Sequence, residues 1–167
     1  MSGSIVRKIA AQVRETAADT AWAQWSALTA AAVDARARRP WSTVDPEALI
    51  LVSLAIRRHE RRLNDVVLGL ARSGTRLLSV QRMSTLVEAY STHAQAGFHQ
   101  FAWAAAEAGD QRWAPHAERP PADAQPERAK RLGPLRLMDG PGLMLRLRTG
   151  LGVGVRADVL AYLLGMH

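Results

Sequence analysis

The amino-acid sequence predicts an all-α protein, and three observations support this fold class. Apolar residues recur three or four positions apart over most of the first 109 residues, which is the spacing of one helix face. Helix-start signals precede several of these runs, and no strand-like alternation of useful length occurs before residue 134. We therefore expect a bundle of four or five helices over residues 4–109, a proline-rich basic linker over residues 110–134, and the start of a second domain over residues 135–167.

Composition limits the remaining possibilities. The chain of 167 residues has room for one domain, or for one domain and part of another, and its 48% hydrophobic content supplies a core. The absence of cysteine excludes disulfides, thiolate metal ligands and cysteine nucleophiles. Glu15 and Asp19 interrupt the N-terminal region before any long apolar run develops, so neither a signal peptide nor a membrane span is predicted. We expect a cytoplasmic protein that does not bind a membrane.

The first segment, residues 4–39, is predicted to be helical. It contains no proline, and its many alanines favour helix. A break between Thr16 and Thr20 would divide it into two helices, and the sequence leaves both alternatives open. One face is formed by the apolar residues Ile5, Ile9, Val13, Ala17, Ala21, Trp25, Leu28 and Ala32.

The second predicted helix has the clearest start signal. Asp45 suits the N-cap, Pro46 suits the first helical position, and Glu47 suits the positive end of the helix dipole. From Ala48 to Ile56 the only polar residue is Ser53, whose hydroxyl is expected to bond back to the preceding turn. A helix that is apolar nearly all round belongs in the middle of a bundle.

Three further helical segments complete the predicted bundle. One covers residues 61–74, and another begins at Ser79. The last covers residues 93–109 and is closed by Gly109, although Gly97 leaves its continuity with the preceding segment undecided.

The sequence changes character after residue 109. Residues 110–134 hold five of the eight prolines and few large apolar side chains, which predicts an extended linker outside the core. Residues 135–148 alternate and contain Asp139-Gly140, which predicts a short hairpin or an extended arm. A helix is expected from about Arg156. Because nothing polar caps or follows it, we expect the intact protein to continue past His167.

Positive charge is concentrated in this C-terminal part. Residues 128–156 carry seven basic side chains against Asp139 alone, within a chain of formal net charge +7. This concentration is consistent with binding to a polyanion, and the preference for arginine is equally consistent with a GC-rich genome. If DNA is bound, the residues expected to contact its phosphates are Arg136, Arg146, Arg148 and Arg156.

No catalytic, cofactor or metal site is predicted. The spacing Gly152-x-Gly154-x-x-Ala157 fits a loose dinucleotide fingerprint, but only ten residues follow, too few for the second strand and its acidic residue. His93 and His99 lie six positions apart, on different faces of a helix, where a zinc pair needs a spacing of four. No nucleophile, base and orienting group occur together. The prediction is that the protein is not an enzyme.

The segment 150-GLGVGVRADVLAYLL-164 resembles the entry to the first helix of bacterial winged-helix transcription regulators. The matching residues are Arg156, Val159, Leu160, Leu163 and Leu164, within the basic lead-in and helix of residues 146–164. The resemblance implies a second, winged-helix-like domain whose helix-turn-helix would enter the DNA major groove. It therefore implies that residues 4–109 are the regulatory or oligomerisation module of a DNA-binding regulator.

The alternative function is a helical protein-interaction module that does not bind DNA, such as one partner of a toxin–antitoxin-like pair. Trp22 and Trp41 are candidate interface residues, since tryptophan is enriched at interfaces. The run 57-RRHERR-62 is either a site for an acidic partner or an exposed helix junction. Under either function, we expect the bundle to form a homo-oligomer or to bind a protein partner.

Overall fold

The computed structural model describes residues 2–29, 42–120 and 132–165, and the regular structure within them is helical. The predicted all-α class is confirmed at that level. The α-helices are α1 (Ser2–Leu28), α2 (Pro46–Ile56), α3 (Arg61–Ala71), α4 (Val80–Val87), α5 (Thr92–Glu107), α6 (Leu143–Leu151) and α7 (Val155–Gly165). Short 3₁₀ helices occupy Thr75–Leu77, Gln111–His116 and Gly140–Gly142.

Helix α1 is continuous between Thr16 and Thr20, where the sequence allows a break. The Thr20 hydroxyl donates a hydrogen bond to the Thr16 carbonyl at 2.8 Å, so this threonine is accommodated within the helix. Residues 30–39 of the predicted first segment lie outside the described residues. Within the described part, residues 2–28 therefore form one helix and not two.

Helix α2 lies at the centre of the molecule, as its apolar sequence predicted. It packs against α1, α3, α4 and α5, and Ile50, Leu51 and Leu54 are fully buried. Asp45 is its N-cap and accepts a hydrogen bond from the Ala48 amide at 3.1 Å, with Pro46 in the first turn. The predicted start signal is confirmed.

The next three helices begin at side-chain caps. Glu60, Ser79 and Ser91 accept hydrogen bonds from amides in the first turns of α3, α4 and α5. Gly97 lies inside α5 without breaking it. A Cβ atom there would stand 3.0 Å from Leu54 Cδ2, so glycine permits the close approach of α5 to α2.

The predicted linker contains a core residue, which corrects the expectation for residues 110–134. Trp113, in the 3₁₀ helix after α5, is completely buried, and its ring meets that of Phe101 edge-on with centroids 5.1 Å apart. Asp110 caps this turn and also accepts a hydrogen bond from the Thr75 hydroxyl at 2.8 Å. Residues 121–131 of the predicted linker lie outside the described residues.

The predicted hairpin or extended arm is wrong for residues 143–151, which form α6. The alternation of Leu143, Leu145 and Leu147 resembles a strand, but leucine and arginine are strong helix formers. The residues that α6 buries are Met144, Leu145 and Arg148, whose spacing matches one face of a helix. Leu145 joins the same hydrophobic core as α2 and α5.

A glycine turn separates α6 from α7. Gly152 has a positive φ of 80°, which a residue with a side chain rarely adopts, and its amide bonds to the Arg148 carbonyl at 3.0 Å. Helix α7 then begins at Val155, one residue before the predicted position. Gly152 and Gly154 therefore lie in the turn that links the two helices, whereas Gly150 belongs to α6.

A buried hydrogen-bond chain joins α1 to α2. The Ser53 hydroxyl donates to the Leu49 carbonyl at 2.7 Å, as predicted, and accepts from Trp25 Nε1 at 3.0 Å. Ser53 and Trp25 are 0% and 1% exposed. Ser53 thus satisfies the indole N–H of the largest buried side chain at the α1–α2 contact.

Replacing Ser53 with alanine is expected to lower the free energy of unfolding by about 1–3 kcal/mol, because the buried Trp25 N–H loses its acceptor. Urea unfolding followed by circular dichroism measures the change. Thr85→Ala is the matched control, since its exposed hydroxyl bonds to the Gln81 carbonyl at 3.0 Å in the same way. Equal effects of the two substitutions would contradict the importance of the Trp25 contact.

Candidate interaction surface

Exposed large apolar side chains are concentrated on two helices. In the part of the chain that the structure describes, ten of the twelve belong to α1 or α7, the exceptions being Met138 and Leu151. Scattered single apolar residues are normal on a protein surface, whereas a contiguous group on one helix marks an interaction site. Helices α1 and α7 are therefore the candidate interaction surface.

The exposed face of α1 results from a mismatch in helix length. A helix of 27 residues is about 40 Å long, whereas α2, with 11 residues, is about 16 Å long. The second half of α1 is covered, with Trp25 and Leu28 each 1% exposed. In the first half the apolar residues remain 57–64% exposed; they are Ile5, Val6, Ile9 and Val13, named below the α1 stripe.

The sequence predicts that one apolar face of the first segment packs in the core. This prediction is wrong for the first half of α1. The apolar spacing continues from Ile5 to Leu28, but burial begins only near Ala17. Periodicity indicates which side of a helix is apolar and says nothing about whether another element reaches it.

An open groove runs between α1 and α2 beside this stripe. Its volume is about 740 Å³. Ile9 and Val13 form part of its wall, and Leu49 and Val52 of α2 lie opposite. Polar side chains such as Gln12 also line it. The groove extends the apolar surface from the stripe onto the bundle.

Helix α7 presents its small residues to the bundle and its large residues to solvent. Ala157 and Ala161 are fully buried, and a Cβ atom on Gly165 would lie only 2.5 Å from Thr43 Oγ1. The large side chains are 39–77% exposed; they are Val155, Val159, Leu160, Tyr162, Leu163 and Leu164. This orientation leaves an apolar surface uncovered on the side away from the core.

A buried ion pair fixes α6 on the bundle. Arg148 Nη1 and Nη2 donate to the two Glu47 carboxylate oxygens at 2.6 and 3.1 Å, and neither side chain is exposed to solvent. Arg148 Nη1 also donates to the Leu77 carbonyl at 2.9 Å. Glu47 accepts a further hydrogen bond from the Ser79 amide at 2.8 Å. Two charges removed from water are thus satisfied by several hydrogen bonds.

The same network extends to α7 through Asp158. Arg148 Nε donates to Asp158 Oδ1 at 2.9 Å, and Arg82 Nη1 donates to Asp158 Oδ2 at 3.4 Å. Arg82 also pairs with Asp45, the cap of α2. Burial lowers the pKa of Arg148, but its hydrogen bonds to Asp158 and Glu47 outweigh burial and raise that pKa above its ordinary value.

Arg148 must be removed from the predicted phosphate contacts. It is 2% exposed and its guanidinium is occupied by Glu47 and Asp158, so a DNA phosphate does not reach it in this arrangement. Arg146 and Arg156 are exposed, and Arg136 is partly buried. These three remain predicted phosphate contacts.

The two candidate interface tryptophans have different outcomes. Trp22 is only 9% exposed and lies in the core, with the Arg62 guanidinium 5.1 Å from its ring centroid in a cation–π contact. Its predicted interface role is therefore wrong: the indole stacks under an arginine and does not present a free face. Trp41 lies outside the described residues.

The sequence contained a partial signal for the buried network. Glu47 suits the helix dipole, but an acid at the start of a helix whose only polar residue from 48 to 56 is Ser53 also indicates a buried charge. Nothing in the local pattern identified its partner, because Arg148 lies 101 positions away. Arg148 itself was grouped with the exposed arginines of a basic segment.

Comparisons of the chain with protein-family models, curated proteins and solved structures found no significant match. Among residues 2–29, 42–120 and 132–165, no group of three or more metal-ligating His, Cys, Asp or Glu side chains occurs. Within the same residues, no helix combines the length and apolar character needed to cross a bilayer. The site must therefore be interpreted from its own geometry.

Replacing Arg148 with methionine is expected to lower the free energy of unfolding by about 3–5 kcal/mol, because the buried Glu47 carboxylate loses its counterion. Arg146→Met on the same helix is the matched control and should change it by less than about 0.5 kcal/mol, since Arg146 is exposed. Urea unfolding of both variants checks the prediction. A small effect of Arg148→Met would show that the ion pair does not hold α6 in place.

Proposed function

We propose that this chain is the oligomerisation module of a bacterial DNA-binding transcription regulator. The observation that carries the proposal is the confinement of exposed large apolar side chains, within the described residues, almost entirely to α1 and α7. Helix α1 pairs with α1 of a second copy, and α7 belongs to the DNA-binding part of the regulator. The two surfaces have separate roles and are tested separately.

Charge on α1 supports pairing with a second copy in an antiparallel arrangement. Arg7 and Lys8 lie towards its N-terminus, whereas Glu15 and Asp19 lie beyond the α1 stripe, where the basic Arg14 lines a separate cleft. An antiparallel pair places the basic end of one helix beside the acidic segment of the other, and a parallel pair places like charges together. An antiparallel pair of identical helices has two-fold symmetry, the commonest arrangement of homo-oligomers.

The orientation of α7 supports the assignment to a DNA-binding regulator. The residues that resemble the first helix of a winged-helix domain include Val159, Leu160, Leu163 and Leu164. These four side chains point away from the bundle and are 39–56% exposed. A first helix of that domain needs such residues outward, because the helix-turn-helix elements pack against it. The exposed Arg146 and Arg156 lie on α6 and α7 respectively.

Replacing Val13 with glutamate is expected to convert a dimer into a monomer while leaving the helical fold of the single chain intact, which circular dichroism verifies. Val13 is 61% exposed in the single chain, so the charge is tolerated there but not inside an apolar interface. Light scattering coupled to size-exclusion chromatography should give twice the monomer mass for the unchanged chain and the monomer mass for Val13→Glu.

Ala11→Glu is the matched control for this experiment. It adds the same charge to α1 at an exposed position outside the stripe, so the dimer should persist. An unchanged chain that remains monomeric at the highest soluble concentration would contradict self-association and leave the α1 stripe to a different protein.

The full-length gene product is expected to bind duplex DNA with a salt-dependent affinity. Replacing Arg146 and Arg156 with glutamine should reduce the slope of log K against log salt concentration by about one for each arginine that no longer neutralises a phosphate. Arg119→Gln, an exposed arginine outside α6 and α7, should leave the slope unchanged. Fluorescence anisotropy across a salt series measures the slopes. No binding by the full-length product at low salt would overturn the DNA-binding part of the proposal.

A further inference from the structure

A second cleft, independent of the apolar surfaces, collects basic side chains from three parts of the chain. It has a volume of about 370 Å³ and lies where α1, the end of α2 with the turn that follows, and the start of α5 meet. Its lining contains two arginines and two histidines and no carboxylate. The lining residues are Arg14, Ala55, Ile56, Arg58, His59, Ser91 and His93.

The positive charge of this cleft is not neutralised by neighbouring acids. Among the described residues, neither Arg14 nor Arg58 forms an ion pair. Glu60, the acid nearest to Arg58 and His59 in sequence, is held by Arg62, whose Nε and Nη2 donate to it at 3.1 and 2.8 Å. Glu15 follows Arg14 in sequence but is not among the residues that line the cleft. Within the run 57-RRHERR-62, Glu60 and Arg62 therefore pair with each other, whereas Arg58 and His59 line the cleft.

Arg57 binds His93, one of the residues that line the cleft. Its Nε donates to His93 Nε2 at 3.1 Å, and its Nη1 donates to Gln100 Oε1 at 3.0 Å. A ring nitrogen that accepts from a guanidinium carries no proton, so the proton of neutral His93 is on Nδ1, which becomes a hydrogen-bond donor. Burial, together with the charges of Arg57 and Arg58, lowers the pKa of His93 and favours this neutral form.

We infer that this cleft binds a small phosphorylated ligand, recognised through its phosphate by Arg14, Arg58, His59 and His93. Two guanidinium groups and two imidazoles converge there without a competing carboxylate. Arginine suits phosphate because its planar group offers two parallel donors. Ser91 is the N-cap of the 16-residue helix α5, so the positive end of that helix adds to the attraction.

The shape of the cleft favours a small molecule over a nucleic acid. Its volume lies within the range of pockets for compact ligands. Backbone binding to DNA uses basic residues spread along an extended surface, whereas these residues surround one concavity. The inference goes beyond the proposed oligomerisation and does not depend on it.

The test is titration of the unchanged chain with inorganic phosphate and with pyrophosphate by isothermal titration calorimetry. Saturable binding of at least pyrophosphate is expected. Arg58→Ala and Arg14→Ala should each weaken it about tenfold or more, because each removes a charge-assisted hydrogen bond. Both side chains are exposed, so both variants should fold, which circular dichroism verifies.

Arg61→Ala is the matched control. It removes the same charge from the same basic run, but Arg61 lies outside the cleft and should change the affinity less than about twofold. Equal weakening by Arg61→Ala and Arg58→Ala would show diffuse attraction and overturn the inference. The absence of phosphate and pyrophosphate binding would also overturn it. Loss of duplex-DNA affinity in Arg58→Ala without pyrophosphate binding would assign the cleft to nucleic acid instead.

Discussion

The arrangement of the C-terminal helices depends on one buried ion pair, between Glu47 at the start of α2 and Arg148 of α6. Removing a carboxylate and a guanidinium from water is costly, and the cost is offset only where their hydrogen bonds are nearly all satisfied. Here the Ser79 amide donates a further hydrogen bond to Glu47, and the Leu77 carbonyl accepts one from Arg148. The hydrogen bonds of Arg148 to Glu47 and to the Leu77 carbonyl fix the position of α6 on the bundle. Its hydrogen bond to Asp158 fixes α7 beside α6.

The apolar surfaces follow from this constraint and from helix length. With Asp158 directed at Arg148 and Arg82, the small residues of α7 face inward and its leucines face outward. Among the described residues, no helix covers the first half of α1, which leaves the α1 stripe in solvent. The chain buries most of its central helix while exposing two apolar faces, and this arrangement supports the interaction module proposed above. The basic cleft adds a separate, polar recognition site to the same bundle.

Local features were the most predictable from sequence. The cap Asp45, the helix start at Ser79 and the back-bonded Ser53 depend on residues within four positions, and all three predictions are confirmed. The errors concern long-range packing. The Glu47–Arg148 pair spans 101 positions, and Trp113 lies in a proline-rich segment whose composition predicts a linker. Over so short a run, the alternation of leucines in α6 fits both a strand and a helix. Helix propensity and the burial of Arg148 favour the helix. The basic cleft combines residues from three separate segments, so no local motif indicates it.

Because Arg148 is bound to Glu47, we expect α6 to belong to the same cooperative unit as the bundle. Native-state hydrogen exchange in increasing concentrations of denaturant measures this directly, since it gives an opening free energy for each backbone amide. We expect the Arg148 amide in α6 and the Leu54 amide in α2 to open with the same free energy, that of global unfolding. An opening free energy for α6 well below that of α2, with a smaller dependence on denaturant than global unfolding, would show that α6 detaches on its own and would contradict the coupling through Arg148.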